Sequence, residues 1–156
     1  MTRIKTFLVA ATILSATATS LIHWAPAIAH SGARGMVKDR MELMKSLGSS
    51  MKSLAAMFQG KTAYNPTKVQ QISVRVSKHA EKIPSMFPEG SDKHPSEAKA
   101  TIWSDRSGFE RAASTLGEQA AMLSKVADKK AAAEMSFKQL ANTCKACHQD
   151  FREKKN

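Results

Sequence analysis

The chain has 156 residues, with 24 Lys and Arg against 13 Asp and Glu, a formal charge of +11, and 42% hydrophobic side chains. That length suits one ordinary domain around one core and excludes a second lobe. The basic excess admits three partner classes at first sight: nucleic acid, anionic lipid and acidic protein.

The chain opens on Thr2-Arg3-Ile4-Lys5, an apolar and small-residue run from Phe7 to Ile22, and then Ala27-Ile28-Ala29. This is the order of a secretory signal peptide with an A-x-A cleavage site, so residues 1–29 are read as a leader and 30–156 as the mature domain. A membrane anchor is the competing reading, but Thr12, Ser15, Thr17, Thr19 and Ser20 dilute the run and no second apolar stretch follows. No span is expected after cleavage, and the expected location is periplasmic. Arg3 and Lys5 leave with the leader, so 22 of the 24 basic residues remain against 13 acidic ones, a formal +9. Export argues against nucleic acid, and so does the scatter of Lys45, Lys52, Lys61, Lys68, Lys78, Lys82, Lys129 and Lys130, which are not interleaved with aromatics. Solvated helix faces account for most of this charge; an acidic redox partner is the specific reading that fits best.

From Val37, the residues Met41, Met44, Leu47, Gly48, Met51, Leu54, Ala55 and Phe58 recur at three- and four-residue steps, the stripe of a helix that buries one face. Gln59-Gly60 ends it. Asn65 is placed to cap a second helix with Pro66 at its first position, where the missing N–H costs nothing. Its stripe is Val69, Ile72, Val76, His79, Ala80 and Ile83, and Pro84 closes it. Residues 87–98, with two prolines and a glycine, read as a loop. Ser104 is the expected cap of a third helix carrying Phe109, Ala112, Ala113, Leu116, Ala120, Leu123 and Val126, with Ile102 and Trp103 in a short turn before it. The last stripe is Phe137, Leu140, Ala141, Cys144, Cys147, His148 and Phe151, followed by a basic tail that suits a helix C-terminus. No stretch alternates with period two, so the fold class is all-α, an antiparallel up-down-up-down four-helix bundle.

The only two cysteines stand in Cys144-Lys-Ala-Cys147-His148, the attachment sequence of a c-type haem. Thiols three residues apart on a helix project to one side, where each can form a thioether to a former vinyl group of one haem. His148, four after Cys144, shares that side and can reach the iron. Three other chemistries use such a pair. A thioredoxin-like dithiol needs a neighbouring strand and a helix start, a zinc site needs further ligands such as His79 or His94, and a disulfide would be structural. Only eight residues follow His148, so a second iron ligand from the protein must come from an earlier helix. Met41, Met44 and Met51 all lie on the inward face of the first, and periodicity does not choose among them.

With these pieces in order, the chain resembles class II cytochrome c, the cytochrome c prime family with its low-spin relative cytochrome c-556. The resemblance rests on Arg40-Met-Glu-Leu-Met44-Lys, Met86-Phe-Pro-Glu-Gly-Ser91, Ile102-Trp-Ser-Asp105 with Phe109, and Cys144-Lys-Ala-Cys-His-Gln-Asp-Phe-Arg152. In that family the residue four after the first-helix arginine faces the distal side of the haem. An apolar residue there leaves iron five-coordinate and open to NO or CO, and a methionine fills the site. The resemblance therefore implies His148/Met44 ligation and the c-556 branch. It also implies that Arg40 lies near the haem edge and Arg152 near the proximal ligand, while Trp103 and Phe109 are packing residues first. Relatives occur as monomers and as dimers through their first two helices, so a homodimer is a further expectation. The expected function is one-electron transfer through a single covalent haem c, without enzymatic activity; the alternative is a five-coordinate NO or CO binder.

Overall fold

The computed structural model describes residues 34–154; the expected leader lies outside them. Four long helices carry the architecture: α1 (Gly35–Phe58), α2 (Pro66–Lys82), α4 (Arg106–Lys125) and α5 (Lys130–Phe151). A one-turn helix, α3 (Thr101–Ser104), precedes α4, and a short 3-10 turn spans Pro84–Met86. There is no strand among the described residues, only one isolated bridge between Ala98 and Arg152. None of these helices is long and apolar enough to cross a membrane.

The helix ends follow from local chemistry. Gly60, at φ 72°, ends α1 in a left-handed turn that lets Lys61 N–H reach Ala56 O at 2.9 Å and Gly60 N–H reach Met57 O at 3.3 Å, which satisfies two otherwise orphaned carbonyls. The Asn65 side chain accepts from Lys68 N at 2.9 Å, and Pro66 opens α2 as expected. Helix α2 stops before Pro84. The cap of α4 differs from the expected one: Ser104 ends α3, and the carboxylate of Asp105 accepts from Gly108 N at 3.0 Å.

Leu54, Val69, Val76, Ile102, Leu123 and Leu140 are fully buried where the apolar stripes meet. Several stripe positions are less inward than the periodicity suggests: Gly48 is exposed, and Val126, Ala112 and His79 are half-buried. The packing is uneven. Helix α2 lies extensively against α4, and α4 against α5, whereas α1 leans on α2 and touches α5 only slightly. Aromatic rings close both poles of the bundle. Phe87, Phe109 and Phe151 meet edge to face at 5.0 and 5.3 Å at one pole. At the other, Phe58 contacts Tyr64 at 5.6 Å and stacks on Phe137 at 5.0 Å.

Candidate functional site

Helix α5 carries the thiol pair on the stripe that buries Leu140 and Phe151, four residues before Cys144 and four after Cys147. Cys144 and Cys147 are half-buried, free, and packed against the edge of the core. Burial raises both thiols, and Cys147, next to Cys144 and Asp150, is pushed up to about 11. A redox dithiol needs a lowered pKa to supply thiolate, so this environment opposes that chemistry. His148 is exposed, and partial desolvation of its ring, followed by the positive charge of Arg152, holds it below 6.5. At neutral pH the imidazole keeps a free lone pair, the form a metal ligand needs. Among the described residues no three His, Cys, Asp or Glu side chains converge, so neither His79 nor His94 completes a zinc cluster with the thiols.

Helix α1 carries the three methionines expected to be available as a second ligand. Met41, Met44 and Met51 are all half-buried; Met44 and Met51, with Leu43, pack against the core cluster. The loop between the 3-10 turn and α3 fixes the level at which α1 faces α5. Arg40, only 4% exposed, donates from Nη1 to Ser91 Oγ (3.0 Å) and from Nη2 to Ser91 O (2.6 Å) and Ser96 Oγ (2.5 Å). Its guanidinium also lies over the Phe87 ring, 4.6 Å from the centroid. Burial lowers the pKa of this guanidinium, while the nearby Asp92 charge acts the other way. Arg152 donates from Nη2 and Nε to Glu97 Oε2 at 2.6 and 2.9 Å. Arg40 and Arg152 are therefore secured by neighbouring residues of one loop. Met44 lies four residues inward from Arg40, and His148 four inward from Arg152, about 6 Å along each helix at about 1.5 Å per residue. Met51 lies seven residues further, about 10 Å away on the same scale.

Two thiols and a neutral imidazole within five residues of α5, with both thiols packed on the core cluster that Met44 and Met51 also touch, are a donor set that fits a haem attached by thioethers. Trp103 and Phe109 behave as packing residues: Phe109 is buried between two other rings, and Trp103 Nε1 donates to Pro88 O at 3.0 Å. Nothing local in the sequence signals the loop contacts of Arg40 and Arg152, although Ser91, Ser96 and Glu97 lie in a segment recognisable as a loop.

Residues 35–152 match the family model described as Cytochrome C'. The chain is 34% identical over 124 residues to cytochrome c-556 of Agrobacterium fabrum, covering 79% of this chain and 84% of that relative. It is 26% identical over 122 residues to cytochrome c' of Rhodopseudomonas palustris, covering 78% and 84%. The solved structure of cytochrome c' from Rhodopseudomonas palustris superposes with a TM-score of 0.75 at 26% identity, over 80% of this chain and all of that one. The motif, the bundle and these likenesses agree: the chain belongs to the cytochrome c' family, whose members carry covalently attached haem c.

Proposed function

We propose that this protein is an exported one-electron carrier in which Cys144 and Cys147 hold haem c by thioethers while His148 and Met44 fill the two axial positions of the iron. The observation that supports the reading is that one loop binds both Arg40 and Arg152, and Met44 and His148 each stand four residues from the arginine of their own helix. When bound, the haem supplies an iron centre that accepts and releases one electron.

The chain's own residues set the terms of that exchange. His148 is fixed by the flanking Cys147. The thioether of Met44 favours the ferrous state relative to a second imidazole, and the apolar wall of Leu43, Met44 and Met51 opposes the extra charge of the ferric state. With both axial positions taken by protein, no substrate or gas has an open site on the metal, so the protein acts as a carrier and not as an enzyme. Arg40, expected at the haem edge, enters this reading as the residue that holds the 88–100 loop beside Met44. Residues 1–29 act as the export signal to the periplasm, and the mature charge of +9 favours encounter with acidic redox proteins through long-range steering. A five-coordinate NO or CO binder is the second reading, and the 26% identity to cytochrome c' is what favours it.

Visible absorption of the haem-loaded protein decides between them. The parent is expected to be low-spin, and Met44→Ala is expected to turn it high-spin and let it take CO without displacing a protein ligand. An unchanged spectrum in that variant removes Met44 from the iron.

A further inference from the structure

Helices α1 and α5 have little direct contact, yet in the reading above each contributes one axial ligand. Residues 91–101 connect them. On the α1 side, Arg40 donates three hydrogen bonds into Ser91 and Ser96. On the α5 side the attachment is denser. Arg152 pairs with Glu97, Lys99 N–H donates to Phe151 O at 3.1 Å, and Glu153 N–H donates to Glu97 O at 2.8 Å. Lys99 Nζ and Thr101 Oγ1 cap the Gln149 and Asp150 carbonyls at 2.7 and 2.8 Å. Ser96 Oγ accepts from both Arg40 Nη2 and Ala98 N, the latter at 3.1 Å, so a single hydroxyl joins the α1 attachment to the α5 attachment.

We propose that residues Ser96, Glu97 and Ala98 form a tie bar that sets the separation of α1 from α5 and thereby holds Met44 sulfur within bonding distance of the iron. The proposal rests on the Met44/His148 reading and adds positioning residues to it. The two ligands depend on the tie bar unequally. His148 is anchored by the thioether at its neighbour Cys147, so the distance between the helices hardly matters to it. Met44 has no covalent link to the cofactor, and a thioether is a weak, neutral donor, so a small outward displacement of α1 releases it first. A buried guanidinium suits this task because its planar fork fixes direction as well as distance, and its bonds strengthen away from water.

The test uses haem-loaded Ser96→Ala, Glu97→Gln, the double variant and Ser96→Thr, with Met44→Ala as reference and Tyr64→Phe as control. Tyr64 donates to Ala127 O at 2.6 Å at the far pole, so its variant loosens the bundle without touching the tie bar. Ser96→Ala and Glu97→Gln are each expected to gain a high-spin fraction and to bind CO about tenfold faster. The double variant should exceed the larger single effect by less than about twofold, because both changes loosen the same link between α1 and α5 and are not additive. Ser96→Thr keeps the hydroxyl and should stay within about twofold of the parent. Parent-like spectra and CO rates in Ser96→Ala and Glu97→Gln, with Met44→Ala high-spin, overturn the tie bar and leave the ligand assignment standing. An equal shift in Tyr64→Phe also overturns it, since the change then reports bundle stability alone. A parent-like spectrum in Met44→Ala rejects the ligand assignment and the tie bar together.

Discussion

His79 illustrates how one side chain couples the stability of the bundle to acidity. Its ring is half-buried on α2, its Nδ1 is buried with no hydrogen-bond partner, and its pKa lies below 6.5 through desolvation first and then the charges of Lys82 and Arg75. The folded chain therefore resists a proton that the unfolded chain accepts near its ordinary value of 6.5. Stability is fully present above that value and is lost as pH falls toward and through the folded pKa. His79→Gln is expected to flatten this part of the profile, read as the difference in urea midpoint between pH 7.5 and 5.5; an unchanged difference would count against it. At this scale the sequence is uneven as a guide. Cys144, Cys147 and His148 declare themselves because their chemistry is local, within five consecutive residues. Arg40 does not, because its partners Ser91 and Ser96 lie 51 and 56 residues away and only the folded chain selects them.

Among the elements, the start of α4 gives a sharp case. The Asp105 carboxylate caps the first turn, and a Cβ on Gly108 would fall on that carboxylate, so the two residues work as a unit. Asp105→Ala is expected to lower stability by about 1 kcal/mol. Gly108→Ala also expels the cap, but the preference of helices for alanine over glycine returns a similar amount, so its own net change should be small. Denaturant unfolding of both variants and their combination checks this: Gly108→Ala should add no second loss to that of Asp105→Ala. The stripes of all four long helices were legible because burial of one face imposes a 3.6-residue period on the residues themselves. The expected cap at Ser104 was one residue early because α3 claims Ser104 for its own turn, a competition between neighbouring turns that hydrophobic periodicity does not register. The loop at 87–98 could be recognised from its prolines and glycine. Its work as a connector could not, since that depends on which helix termini happen to surround it.

The molecule as a whole has a rigid side and a looser one. Small residues let α2 and α4 approach closely: a Cβ added at Gly117 would stand 3.5 Å from that of Ala80, and α5 closes onto the same pair. Helix α1 is the outlier, held by α2 along one side and by Arg40 near its start. That asymmetry sets an order for amide hydrogen exchange in the polypeptide before haem is attached. Protons of α1 beyond Leu47 should trade with deuterium first, those around Ala80 and Ala120 last, with protection differing by at least about tenfold. Mass spectrometry of the proteolysed, labelled chain reads this directly, and uniform protection across the four helices would contradict it. In a chain built this way the face that α1 covers is the first to meet solvent when the bundle breathes, while the packing of α2, α4 and α5 still holds.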